Sequence, residues 1–307
     1  MNRLVQYTPE RLVLANRLTL CYDAFGDADH PPVVLIMGMG AQMIGWDDEF
    51  CEQLAAQGFY VVRFDNRDAG RSSRFDDAGV PDIMAAMTRA WLGMPVHAPY
   101  LLRDMALDLV GLLDTLNIRR AHLVGASMGG TIAQTVALLH PERVLSLTSI
   151  MSTTGDRDLP QPKPWALTAL MKPAPVALED YVEHYVRTWR VLRGEAFPEE
   201  DEHDRARAVR NHSRGLNPAG GARQLAAILA SGSRRQALRH VSAPTLVIHG
   251  DADPLIPPAA ADATAKAVPG ATLLMIEGMG HDFPVGTWKP IIDAIGRHAA
   301  RATARAA

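Results

Sequence analysis

Cysteine is scarce in this 307-residue chain: only Cys21 and Cys51 occur. Two are too few for a disulfide framework, and no zinc-ligand spacing surrounds them, so both read as reduced thiols. An excess of one charge is missing as well. The formal net charge is −3 and no basic stripe runs along the sequence, which removes the electrostatic case for a nucleic-acid partner. The longest basic stretch, DRARAVRNHSRG (204–215), follows the acidic PEEDEHD and is expected to form a solvated helix face. Long apolar runs are also absent. Charge interrupts the opening MNRLVQYTPERLVLANRLTL, which has no signal-peptide core, and no run is long enough to span a bilayer. These absences predict a cytoplasmic protein with no membrane partner.

What is present is alternation. RLTLCYDAF, PPVVLIMG, GFYVVRFD, AHLVGA and RVLSLTSI read as strands, and DDEFCEQLAAQ, LLRDMALDLVGLLDTL and TIAQTVALLH between them carry helical periodicity. That pattern predicts an α/β fold, a mostly parallel central sheet flanked by helices. After Met151 it breaks down. Residues 152–240 hold prolines at 160, 162, 164, 173 and 175, then helical segments such as LEDYVEHYVRTWRVL and GGARQLAAILASG, with no convincing strand. Strands return at APTLVIHG and ATLLMIEG before a closing helix, TWKPIIDAIGRHAA, whose Ala/Arg-rich tail is expected to fray. The division is a core of 1–151 and 241–307 with a helical insertion at 152–240, expected over the carboxyl ends of the strands.

One stretch carries chemistry. Gly125-Ala126-Ser127-Met128-Gly129 fits G-x-S-x-G and sits where the buried strand AHLVGA gives way to a helix. A sharp turn there lifts a serine hydroxyl into the open, and the Met128 N–H at the helix start can help hold an oxyanion. A serine hydroxyl is a weak nucleophile and needs a base. His281, on the loop IEGMGHDFP after the last strand, is the candidate. The base needs an acid, and VIHGDADPLIPP offers Asp251 and Asp253. The order Ser, Asp, His is the one expected on this architecture.

With these motifs the chain resembles the α/β-hydrolase family over nearly its whole length. MGMG…GW (37–46), RDAGRS (67–72), GASMGG and GMGHDFP look most like the aclacinomycin methylesterase branch, whose members cleave a methyl ester on a polyketide. The resemblance implies a helical cap inserted after the sixth strand. It makes Ser127 the nucleophile, His281 the base and Asp253 the acid, because the family aspartate precedes a Pro-Leu-Ile-Pro-like tail, here 254–257. Asp251 is the runner-up for the acid, with capping a turn as its other role. The arginine and aspartate of FDNRDAGRSS (64–73) are expected to brace the site. Many relatives have His-Gly in the loop after PPVVLI, where this chain reads Met37-Gly38-Met39-Gly40. Met39 is then the second oxyanion donor, through its backbone N–H, without the histidine that often orders the loop.

Trp165, Met171, Tyr181, Tyr185 and Trp189 in the insertion, with Met84, Met87, Trp91 and Met94, are candidates to line an apolar cleft for a bulky ligand. Trp91, Trp165 and Trp189 are the substrate-binding choices among them. The function expected is a serine esterase that forms an acyl-enzyme on a small-molecule ester and needs no metal or organic cofactor. A lactone or a C–C bond beside a ketone suits the same triad, since the triad reports mechanism and the insertion reports substrate. Haloalkane dehalogenase and epoxide hydrolase chemistry needs a carboxylate at position 127. A ligand-binding receptor on the same fold is the alternative from another class. Oligomeric state, a homodimer included, is not legible in the sequence.

Overall fold

The computed structural model describes residues 5–194 and 196–306. Its centre is a single eight-stranded sheet, formed by β1 (Tyr7–Ala15), β2 (Leu18–Phe25), β3 (Pro32–Ile36), β4 (Tyr60–Phe64), β5 (Ala121–Ala126), β6 (Val144–Ile150), β7 (Thr245–Gly250) and β8 (Thr272–Ile276). The spatial order is β1-β2-β4-β3-β5-β6-β7-β8, with β2 antiparallel to both neighbours and every later pairing parallel. Strands β5 and β7 are buried at every residue, as expected of parallel strands covered on both faces.

The period-2 geometry of a strand sorts neighbouring side chains into two cores. Val34, Ile36 and Leu123 point to one, which α3 (Leu102–Thr115) and α4 (Met128–Leu139) close with Leu109, Leu112, Ile132 and Val136. Val33, Leu35 and Val124 point to the other, closed by Phe50 and Leu54 of α1 (Asp48–Ala55) and by Trp288, Ile291 and Ile295 of α10 (Val285–Ala306). Helix α4 is buried at every position from Met128 to Ala137, so its first turn is fixed by packing on all sides.

Strand β1 was not among the sequence expectations. Pro9, Glu10 and Arg11 interrupt its apolar pattern, and the register shifts between Thr8 and Arg11. A sheet edge tolerates such a break, because half of its backbone faces solvent. The tail after His298 also departs from expectation. Helix α10 continues to Ala306, buries Ala299 and Ala302, and sets the Thr303 hydroxyl 3.1 Å from His122 Nε2.

Between β6 and β7 run α5 (Pro164–Met171), α6 (Leu178–Arg193), α7 (Asp201–Arg214) and α8 (Pro218–Ser231). These helices bond to loops that follow β3, β4, β7 and β8, all at the carboxyl end of the sheet. Gly40 N–H donates to Gln224 (2.7 Å), Arg223 pairs with Asp68 (2.7 Å), Lys163 N–H donates to the Pro254 carbonyl (2.8 Å), and His281 N–H donates to the Leu192 carbonyl (2.7 Å). Helix α2 (Ile83–Trp91) packs beside α8.

The expectation of a solvated face at 204–215 is corrected here. Helix α7 buries Asp204, Arg207, Ala208, Asn211 and Arg214. Arg207 pairs with Asp47 (2.6 Å), Arg214 with Asp65 and Glu10, and Arg193 of α6 with Asp204 (2.8 Å). Arginine suits this because its stem is apolar and its planar fork keeps its charge when paired.

Candidate active site

The turn after β5 answers why a serine stands there. Ser127 has φ 54° and ψ −118°, a backbone state that costs a non-glycine residue roughly 1–3 kcal/mol and is kept only where the surroundings impose it. The imposition is visible: Ser127 N–H donates to the Ile150 carbonyl (2.9 Å), and its own carbonyl accepts from the Ser152 hydroxyl (2.8 Å). At Gly129 a Cβ would stand 2.0 Å from the Ile36 carbonyl oxygen, so any side chain would push α4 off β3. A serine before a helix ordinarily caps it by accepting from the first N–H groups. Ser127 makes no such bond. It is partly exposed, and its hydroxyl donates instead to Nε2 of His281 at 3.1 Å.

His281 is buried, and its Nδ1–H donates to Oδ2 of Asp253 at 2.8 Å. Its loop is held by the end of α6, where the Leu192 and Arg193 carbonyls accept from the N–H groups of His281 (2.7 Å) and Gly280 (2.8 Å). Arg193 then reaches back to Asp282, at 2.7 Å. Asp253 is fixed as firmly: its Oδ1 accepts from the N–H groups of Leu255 (2.9 Å) and Ile256 (2.8 Å). Burial opposes its charge, but the imidazole of His281 and a hydrogen bond from His249 outweigh that and hold the carboxyl well below the usual carboxylate range. An ionised Asp253 accepts from Nδ1–H, the tautomer whose Nε2 faces the serine hydroxyl. Asp251 lies outside this chain, exposed, accepting from Gly278 N–H at 2.6 Å, in the turn role the sequence left open to it.

Met128 is the first residue of α4, where a helix leaves its N–H groups without intrahelical partners. The loop bearing Met39 lies against the serine, and a Cβ on Gly38 would sit 3.3 Å from Ser127 Cβ. The RDAGRS segment is structural, as expected: Arg67 pairs with Asp108 (2.6 Å), and Asp68 accepts from Tyr100 (2.7 Å) and Arg223.

The apolar candidates divide. Trp91 (78% exposed), Trp165 (55%) and Met84 (73%) stand at the surface. Trp189 instead packs inward with Ala166, Leu192 and Leu255, and its ring lies 5.7 Å from that of Tyr185. Tyr181 is buried against Val182 and Ala208, with Tyr185 beside it, so both belong to the packing of α6 on α7. Three polar residues at the site escaped the sequence reading: Asn66, Gln224 and His249.

Residues 31–285 match the α/β-hydrolase fold family, and the chain belongs to it. It is an enzyme of that hydrolase class. Among curated proteins it is 33% identical to rhodomycin D methylesterase DauP of Streptomyces sp. (strain C5) and 34% identical to rhodomycin D methylesterase DnrP of Streptomyces peucetius, each alignment covering 96% of this chain and 99% of the relative. Both bear out the resemblance to the methylesterase branch. The 2-hydroxy-6-oxo-6-phenylhexa-2,4-dienoate hydrolase of Rhodococcus sp. strain RHA1 shares the fold, with a TM-score of 0.72 at 22% identity over 96% of this chain and 99% of that one. Among the described residues, no helix is long and apolar enough to cross a membrane.

Proposed function

We propose that the protein hydrolyses the carboxylic ester, and in particular the methyl ester, of a bulky apolar small molecule. The observation that carries this reading is the unbroken relay from Ser127 to His281 (3.1 Å) to Asp253 (2.8 Å), with the serine on a strained, partly exposed turn. Ser127 attacks the ester carbonyl while His281 takes its proton, and Asp253 holds the imidazole and stabilises the imidazolium. The oxyanion that forms accepts from the N–H groups of Met39 and Met128, donors whose individual loss costs roughly 10²–10³ in rate. Collapse expels the alcohol, protonated by His281, and leaves an acyl-enzyme. Water, deprotonated by His281, then releases the acid and restores the serine.

In this reading residues 152–240 act as a cap over the catalytic core of 1–151 and 241–307. The exposed Trp91 and Trp165 meet the apolar body of the substrate, whereas Trp189 stiffens the cap from inside. The likeness to two methylesterases at about one-third identity supports the ester over the lactone or C–C bond. Cys21 and Cys51 are buried and form no disulfide, which fits a reducing compartment; we assign the cytoplasm.

The test is a panel of methyl esters of polycyclic and simple acids, with methanol release followed over many turnovers. Sustained release, fastest with the bulky acids, is the expected result. Ligand retained without methanol release would overturn hydrolysis in favour of a receptor.

A further inference from the structure

The loop after β3 is ordered from a distant part of the chain. Three successive peptide units run through Met37-Gly38-Met39-Gly40, and each has a fixed partner. The carbonyl of Met37 accepts from Asn66 Nδ2 at 3.0 Å. The carbonyl of Gly38 accepts from Ala41 N–H at 3.4 Å, closing a turn whose third residue, Gly40, has φ +68°, the sign a type II turn demands there. The N–H of Gly40 donates to Gln224 Oε1 at 2.7 Å.

The middle unit matters most, because it contains the Met39 N–H. In a trans peptide the carbonyl and the N–H point opposite ways, so whatever aims the Gly38 carbonyl also aims that N–H. Its own bond, at 3.4 Å, is long. The direction is therefore set by the two flanking units, one held by Asn66 from the β4 side and the other by Gln224 from α8.

Gln224 is suited to this and spent on it. It is fully buried, and its second amide group donates to the Arg67 carbonyl at 2.7 Å, so neither end of the side chain is free to turn. Helix α8 comes close enough because Gly221 faces the loop: a Cβ on Gly40 would lie 4.0 Å from the Gly221 Cα. Gly40 itself is exposed, so water can take up its N–H if the glutamine is lost. Removing the amide should then loosen the aim of the loop more than it loosens the fold.

We propose that Gln224 is a positioning residue that sets the oxyanion loop from the helices between β6 and β7. This rests on the esterase reading above, with Met39 N–H as an oxyanion donor. Gln224→Met removes both hydrogen bonds at nearly constant volume. Gln224→Glu keeps an acceptor for Gly40 N–H and gives up the donor to Arg67.

The experiment measures kcat and KM for an ester that the wild type turns over, together with the inhibition constant of a trifluoromethyl ketone that forms a tetrahedral adduct on the serine, and the melting temperature. For Gln224→Met, kcat falls about 10- to 100-fold, ketone binding weakens by a similar factor and KM changes less than about twofold, the split expected when only transition-state contacts are lost. Gln224→Glu recovers kcat to within about fivefold of wild type, since the acceptor is what aims the loop. The Glu variant keeps the test decidable if the Met variant does not fold. Wild-type kcat in Gln224→Met, or equal losses in both variants, would overturn the inference while leaving the esterase reading in place. A wild type with no turnover on any ester would instead remove the esterase reading, and this inference with it.

Discussion

Around β5 the chain is held by apolar side chains: Val33, Leu35 and Val124 on one face of the sheet, Val34, Ile36 and Leu123 on the other, all essentially without solvent contact. Across α6, α7 and α8 the holding groups are arginines. Arg193, Arg207, Arg214 and Arg223 are all buried, and each is paired with at least one carboxylate. The difference teaches how the two regions divide the work. Apolar packing tolerates no shift, so it suits the turn that must hold Ser127 in a strained state. Charged pairs are directional, so they suit helices that have to land on particular loops: Arg214 on Asp65, Arg223 on Asp68, Arg193 on Asp282.

The comparison can be broken at several points. The largest effect is chemical: Ser127→Ala or His281→Ala should lower ester turnover by about 10⁴-fold or more; Ser127→Ala leaves the melting temperature nearly unchanged, whereas His281→Ala lowers it by taking the partner from the buried Asp253. Next is Gly129→Ala. Its methyl group would overlap the Ile36 carbonyl, so the variant should unfold at much lower denaturant than wild type and lose activity in proportion. Arg193→Met comes third. It leaves Asp204 and Asp282 buried without their cation, and urea titration should show about 3–5 kcal/mol lost, with kcat reduced because the His281 loop is tied to the same helix end. The exposed pair of Arg190 with Asp201 makes the contrast: Arg190→Ala should leave the urea midpoint unchanged.

Acidity offers a gentler probe of the same helices. Burial opposes the charge of Asp47, but hydrogen bonds and attraction from His203 and Arg207 hold it below its ordinary value. The stability it contributes is complete above the unfolded carboxylate value of about 3.9 and is lost as pH falls through the lower folded one. His203 has the opposite sign. Its bond to Asp47 outweighs burial and raises it, so its contribution is complete below about 6.5 and fades as pH rises through the higher folded value. His203→Gln should flatten the slope of melting temperature between neutral and alkaline pH. Smallest of all, Trp91→Ala should raise KM for bulky esters a few-fold and leave simple ones unaffected.

Most of the sheet was legible because buried parallel strands leave unbroken apolar runs, and the candidate site because the serine turn and the acid follow two such runs and the histidine follows the apolar edge strand β8. Strand β1 was not, since an edge strand tolerates Pro9 and the charges beside it. The cationic face of α7 misled for a physical reason: periodicity records polarity, and a paired, buried arginine is as polar as a solvated one. Trp189, Tyr181 and Tyr185 show the converse, aromatic residues that stiffen the insertion from within. Gln224 and Asn66 left no pattern because their partners are backbone groups far away in sequence.

The central claim is that the turn after β5 exists to expose an activated nucleophile, and intact-mass analysis after fluorophosphonate treatment, with peptide mapping, tests it most directly. The account predicts a single adduct on Ser127 that disappears in His281→Ala while the fold persists. A folded protein that stays unlabelled, or one labelled equally well without His281, would contradict it.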